Sequence, residues 1–122
     1  MGYELRIIKQ FSAAHSLRGY RGKCEGLHGH NWKVELVVSS EKLNASGMVV
    51  DFKNLKKKLN RILFKLDHRY LNKITFFKKT NPTSENIARY IFEKLKEKNL
   101  SYKIKEVVVW ESEDALASFK EE

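Results

Sequence analysis

The seven residues Cys24-Glu25-Gly26-Leu27-His28-Gly29-His30 bring together the chain's one cysteine, a carboxylate and two of its four histidines. They open into an apolar run, Trp32 to Val38, that reads as a β-strand. Alternate side chains of a strand share a face, so His28 and His30 project the same way as Trp32, Val34 and Leu36. Their roots then lie roughly 6–7 Å apart, a spacing from which two imidazoles can converge on one ion. Gly29 takes a side chain off the opposite face and permits close backbone approach.

A third imidazole has to come from elsewhere in the chain. Tyr3 to Ala14 reads as a first strand, with Tyr3, Leu5, Ile7 and Phe11 on one face and Ile8 adding apolar surface to the other. It ends in Phe11-Ser12-Ala13-Ala14-His15, where small residues let the ring lean inward. If the two strands pair antiparallel, the loop from Ser16 to Leu27 carries His15 beside His28 and His30. Three neutral imidazoles with no fourth protein ligand make an open zinc site, the arrangement of a catalytic centre. Cys24 as a fourth ligand would instead close the site and make it structural. Arg21 and Lys23 flank the thiol closely enough to lower its pKa, so a thiolate there could also act as base or nucleophile.

Further candidates sit at element ends. Asp51 is placed to cap a helix running to about Leu66, with Phe52, Leu55, Leu59, Ile62, Leu63 and Leu66 inward. Asp67 follows at the wrong end for a carboxylate, given the helix dipole. It can fix the tautomer of the adjacent His68, or pair with Arg69. Asn81-Pro82-Thr83-Ser84-Glu85 opens a second helix, capped by Thr83 or Ser84, with Glu85 complementing the dipole and Asn99 as its stop. The amide groups at this helix start could also bind an anion. A third strand, Lys105 to Trp110, ends at Glu111, on the face of Val107 and Val109. There a carboxylate could grip a flat amidine-like group by paired hydrogen bonds, or simply meet solvent. A short last strand covers Ala115 to Phe119. The order is strand, strand, helix, helix, strand, strand.

Bulk properties bound the rest. A chain of 122 residues, 42% hydrophobic, is expected to form one domain spanning 1–122. It carries no apolar run near the ~18 residues of a membrane span. Glu4, Arg6 and Lys9 break up any leader-like stretch. With one cysteine an internal disulfide is impossible, and a reducing, cytoplasmic setting is expected. The net charge of +9 admits two readings, an anionic partner or solvating lysines. The basic residues between Lys53 and Lys65 fit a solvated polar stripe opposite the helix's apolar one.

Taken together, six segments resemble the 6-pyruvoyl-tetrahydropterin synthase superfamily. They are Phe11-Ser12-Ala13-Ala14-His15, Cys24-x-x-x-His28-Gly29-His30, Val50-Asp51-Phe52-x-x-Leu55-Lys56, Leu66-Asp67-His68-x-x-Leu71-Asn72, Asn81-Pro82-Thr83-Ser84-Glu85-Asn86-Ile87-Ala88, and Glu111. Cysteine four residues before His28 is similar to the carboxytetrahydropterin-forming branch of queuosine (7-deazaguanine) biosynthesis. The resemblance implies an α+β tunnelling fold: a four-stranded antiparallel sheet, two helices on one face, and sheets joined between subunits. It implies a homo-oligomer, a trimer or a hexamer built as a dimer of trimers, with active sites between subunits. It further implies zinc on His15, His28 and His30, Cys24 as proton acceptor, Asp67 and His68 as a relay, and Glu111 on the pterin edge. Thr83, Ser84 and Glu85 would line the pterin pocket.

The implied reaction takes 7,8-dihydroneopterin triphosphate to 6-carboxy-5,6,7,8-tetrahydropterin, acetaldehyde and triphosphate, with Arg21 and Lys23 as candidate phosphate contacts. Nucleic acid and membrane are not expected partners. One feature widens this reading, and a second departs from the family pattern with little consequence expected. Glu25, three residues before His28, resembles the glutamate of a folate-pathway branch that forms 6-hydroxymethyl-dihydropterin. Glu111-Ser112 replaces the more usual Glu-Thr. Formation of the pyruvoyl product is a further alternative within the superfamily. A zinc-stabilised nucleic-acid-binding module is the alternative outside it, and it requires a closed four-ligand site.

Overall fold

The computed structural model describes residues 1–19 and 26–121. Cys24, Glu25, Arg21 and Lys23 lie outside the described residues. The elements are β1 (Tyr3–His15), β2 (His28–Ser40), α1 (Phe52–Phe64), two short 3-10 turns (Leu71–Lys73 and Thr75–Phe77), α2 (Ser84–Leu95), β3 (Lys103–Ser112) and β4 (Ala115–Lys120). The strands form one antiparallel sheet in the order β1-β2-β3-β4. This is the expected four-stranded architecture with its two helices.

The β1–β2 register is what positions the chemistry. It pairs Tyr3 with Ser40 at one end and His15 with His28 at the other, with Phe11 opposite Trp32 and Ala13 opposite His30. Paired residues share a face, so the register alone puts three imidazoles on one side of the sheet. That side is buried: Ile7, Phe11, Trp32, Val34, Leu36, Val38, Val107 and Val109 join Leu55, Leu59 and Leu63 of α1 and Ile87, Ile91 and Leu95 of α2 in one core. Of the apolar residues expected inward, Tyr3 and Phe52 are exposed, as is Ile8 on the other face. Each lies at an element's end or on the open face of the sheet, where no second layer covers it.

Caps follow the expected chemistry. The Asp51 side chain accepts from the Lys53 amide, and Thr83 accepts from the Asn86 amide. The first helix ends at Phe64, two residues earlier than expected, because Lys65 and Leu66 tighten into bonds with the Ile62 and Leu63 carbonyls. The second ends at Leu95, where Lys96 turns to an extended conformation. Asn99, expected as the helix stop, instead takes a left-handed φ of 66° in the turn leading to β3.

After α1 the chain docks on the outer edge of β1. The His68 amide donates to the Ser12 carbonyl at 2.6 Å, and the Ala14 amide donates to the Arg69 carbonyl at 3.0 Å. The next anchor is Asn72. Its Oδ1 accepts from the Ser16 amide at 2.9 Å, and its Nδ2 donates to the Ser16 carbonyl at 2.8 Å. One buried side-chain amide thus satisfies both backbone groups of the residue that follows His15. Removing it would orphan them, at about 1–3 kcal/mol. Asn72→Ala should therefore lower the unfolding free energy measured by urea titration by that amount, whereas exposed Lys73→Ala should change it by less than about 0.5 kcal/mol.

Candidate metal centre

His15 closes β1 and is only 1% exposed. Its Nδ1 lies 2.7 Å from the Pro82 carbonyl oxygen. His28 opens β2, and its Nδ1 lies 2.7 Å from the Gly26 carbonyl oxygen. A carbonyl only accepts, so each Nδ1 carries the proton and each neutral ring presents a bare lone pair at Nε2. Those two Nε2 atoms face each other at 2.9 Å. Two lone pairs at that distance repel unless a positive centre lies against both.

His30 supplies a third nitrogen. Its Nε2 is buried and makes no hydrogen bond among the described residues, although Glu111 Oε1 is 3.1 Å away. The ring nitrogens of His15, His28 and His30 and a Glu111 oxygen all lie within 4.8 Å of one another. The three rings stand nearly edge-on to one another, with centroids 4.5 to 5.1 Å apart. Beneath them lies fully buried Trp32, perpendicular to His15 and steeply inclined to His30. Its indole is held by a hydrogen bond from Nε1 to the Ala13 carbonyl at 3.2 Å.

The electrostatics favour neutral ligands. Burial lowers the pKa of His15, only partly opposed by its bond to Pro82. Burial also lowers that of His30, against the pull of Glu111. Two imidazoles oriented through Nδ1, one orphaned buried ring nitrogen and an adjacent carboxylate fit a divalent metal of the N/O-binding kind. Glu111 gains its place from an irregularity: the β3–β4 register shifts between Trp110 and Ser112, which re-aims a strand-end side chain. With its side chain 31% exposed, the carboxylate borders both the rings and solvent.

Asp67 and His68 form a second group. Asp67 Oδ1 accepts from the Ser12 amide at 2.8 Å, while Oδ2 lies 3.0 Å from His68 Nδ1. The Ser12 bond, reinforced by His68, lowers the Asp67 pKa. Among the described residues its ionic partner is His68, not Arg69. His68 and His30 line one cleft of about 360 Å³, along with Gly29, Ser12 and Asn31. The Thr83 hydroxyl is engaged in capping, Ser84 is buried and Glu85 is exposed. The contribution of this segment to the rings is the Pro82 carbonyl.

Two positioning groups give no local signal. Asn81 Oδ1 accepts from the Arg18 amide at 2.9 Å and Nδ2 donates to the Arg18 carbonyl at 2.8 Å, repeating the Asn72 clamp two residues further on. The Asn86 side chain in turn donates to the Asn81 carbonyl at 2.9 Å, tying the clamp to α2. The stem of the segment leading to Cys24 is thus held at Ser16 and at Arg18.

The profile of the 6-pyruvoyl tetrahydropterin synthase family matches residues 4–122. An Archaeoglobus fulgidus protein provisionally named 6-carboxy-5,6,7,8-tetrahydropterin synthase is 44% identical over 114 residues, covering 93% of this chain and 92% of its own. The dihydroneopterin monophosphate aldolase of Pyrococcus furiosus is 42% identical over 113 residues, covering 89% of this chain and 91% of its own. The solved 6-pyruvoyl tetrahydropterin synthase of Caenorhabditis elegans superposes with a TM-score of 0.89 at 35% identity, covering 100% of this chain and 97% of that one.

Metal binding should weaken on acidification, because protons compete for the same ring nitrogens. His15 and His30 take up protons at lower pH in the fold than in the unfolded chain, whose imidazoles titrate near about 6.5. Their contribution to stability is therefore present above about 6.5 and is lost as pH falls below it. Zinc titrations monitored calorimetrically should show little loss of affinity from about pH 7.5 to 6.5 and a steep loss by about pH 5. A flat profile would show that these nitrogens are not the ligands.

Proposed function

The chain belongs to the 6-pyruvoyl tetrahydropterin synthase family, tetrahydropterin synthase-like enzymes of pterin metabolism, and from that premise we propose that it is a zinc-dependent lyase of queuosine-type biosynthesis. Its substrate would be 7,8-dihydroneopterin triphosphate and its products 6-carboxy-5,6,7,8-tetrahydropterin, acetaldehyde and triphosphate. The observation that carries this reading is the convergence of three imidazole nitrogens and the Glu111 carboxylate within 4.8 Å of one another. When bound on His15, His28 and His30, zinc supplies Lewis acidity toward the hydroxyls of the substrate side chain.

The chain's own groups do the rest. Cys24, four residues before His28, accepts a proton from the activated side chain. Asp67 holds Nδ1 of His68, leaving Nε2 free to receive or return a proton at the cleft. Glu111 anchors the guanidine-like pterin edge by paired hydrogen bonds, which places the side chain over the rings. Thr83, Ser84 and Glu85 line the pterin pocket, Thr83 through its backbone because its hydroxyl is the helix cap. Arg21 and Lys23 contact the triphosphate. The active unit is a homo-oligomer with sites between subunits, in a cytoplasm whose reducing poise keeps the Cys24 thiol free.

A second reading rests on Glu25 and on the Pyrococcus relative, whose name specifies aldolase chemistry. In it, Glu25 in the Cys24 neighbourhood directs cleavage to 6-hydroxymethyl-dihydropterin. Incubation with 7,8-dihydroneopterin triphosphate, followed by chromatography of the pterins, separates the two. The expected main product is 6-carboxy-tetrahydropterin. Cys24→Ala should cut its formation by about 10²–10⁴-fold with zinc retained. Loss of zinc from that variant would mean a closed structural site. Glu25→Gln should spare the carboxy product and remove any hydroxymethyl product. Asp67→Asn should slow turnover by about 10-fold or more without releasing zinc, since it alters a tautomer and not a ligand.

A further inference from the structure

A surface groove of about 850 Å³ lies on the outer side of α1, away from the three clustered histidines. It is lined by Lys53, Lys56, Lys57, Arg61, Lys65 and Lys94, together with Asn60, Ile62, Phe64 and Tyr90, and by no carboxylate. Among the described residues none of the six cations is paired with an acid. Ordinary solvating helices mix the two signs. In α2, for example, Arg89 pairs with Glu93 four residues on.

The pattern on α1 works against the helix. Lys53, Lys57, Arg61 and Lys65 stand four residues apart, so every neighbour along the row repels the next. Lys53 stands at the positive end of the dipole, where the Asp51 cap is the one carboxylate among the described residues, while Arg61 and Lys65 sit at the end that suits cations. Phe64 lies within the row, on the side of α1 away from Leu55, Leu59 and Leu63, with 74% of its surface exposed. Neither core packing nor solvation accounts for it there.

We propose that this outer face of α1, with Tyr90 and Lys94 of α2, binds single-stranded nucleic acid. The phosphodiester backbone would follow the row of cations and an unpaired base would lie on Phe64. A row at four-residue spacing advances about 6 Å per cation, forming a linear track for a linear polyanion. An acidic protein segment would satisfy the charge but has no use for a flat exposed ring. An anionic lipid surface would meet the charge too, but cations set in a single row match a linear chain of phosphates better than a flat sheet of headgroups. Aromatic rings beside cations are the arrangement that holds unpaired bases.

The test is fluorescence anisotropy of a labelled uridine 20-mer with the full protein. Neutralising four phosphates predicts roughly 50-fold weaker binding between about 50 and 200 mM salt. Lys57→Glu/Arg61→Glu should weaken binding by about 10-fold or more. Lys42→Glu/Lys98→Glu, with the same change of net charge elsewhere, should weaken it less than about 3-fold. Phe64→Ala should cost about 5-fold or more. The α1 double variant turns two of the three repulsive four-residue neighbours into attractive ones and leaves one like-charged, so its melting temperature should not fall. Equal loss in the two double variants, no effect of Phe64→Ala, or tighter binding to a glutamate 20-mer or to phosphatidylserine vesicles would each overturn the proposal.

Discussion

Two bare imidazole lone pairs held 2.9 Å apart are the constraint on which the rest of this structure depends. Neither ring can relieve the repulsion by changing tautomer, because each Nδ1 is committed to a carbonyl that cannot donate. Protonating His15 would not relieve it cheaply, because burial disfavours its charged form. The arrangement therefore stores a demand for a cation. The two carbonyls come from opposite sides of the site: Gly26 just before β2, and Pro82 just before α2. Strand pairing alone brings the rings near one another. The helix entrance is needed to aim them.

The sequence makes legible what depends on local pattern. Parity along a strand placed His28, His30 and Trp32 on one face, and an antiparallel pair was enough to deliver His15. Asp51 and Thr83 are caps by type and position, and both act as caps. Asp67 was conspicuous because its sign was wrong for a helix end, and the reason proves tertiary: the edge amide of Ser12 needs an acceptor. What stayed hidden depends on backbones far apart in the chain coming into register. The clamps of Asn72 on Ser16 and Asn81 on Arg18 span 56 and 63 residues. An asparagine in a loop carries no mark of which distant amide it will meet. The end of α2 at Leu95 was equally hidden, since Lys96 to Asn99 contains good helix formers and the break is set by the turn into β3.

The two faces of α1 answer to different demands. Leu55, Leu59 and Leu63 are fully or almost fully buried and fasten the helix to the sheet that carries the rings. Most of a short helix's stability in a protein comes from such packing and not from its surface charges. Repulsion among exposed lysines, worth a few tenths of a kcal/mol per pair, is small beside that burial. The outer face is thus free to carry a pattern that an isolated helix would resist, and the candidate metal group lies on another part of the fold.

His68 shows what the site costs locally. Its φ of 58° lies in the left-handed region, which is unfavourable by about 1–3 kcal/mol for a residue with a side chain. Glycine would remove that cost, and the turn itself needs nothing that glycine lacks. The conformation is instead secured by the backbone bonds of His68 to Ser12 and of Ala14 to Arg69, with the Asp67 carboxylate gripping both the sheet edge and the ring. A strained position stabilised from three sides, with its side chain 81% exposed, makes no sense as packing. It accords with the proton-transfer role proposed for His68, in which Asp67 holds one ring nitrogen and the other is left free.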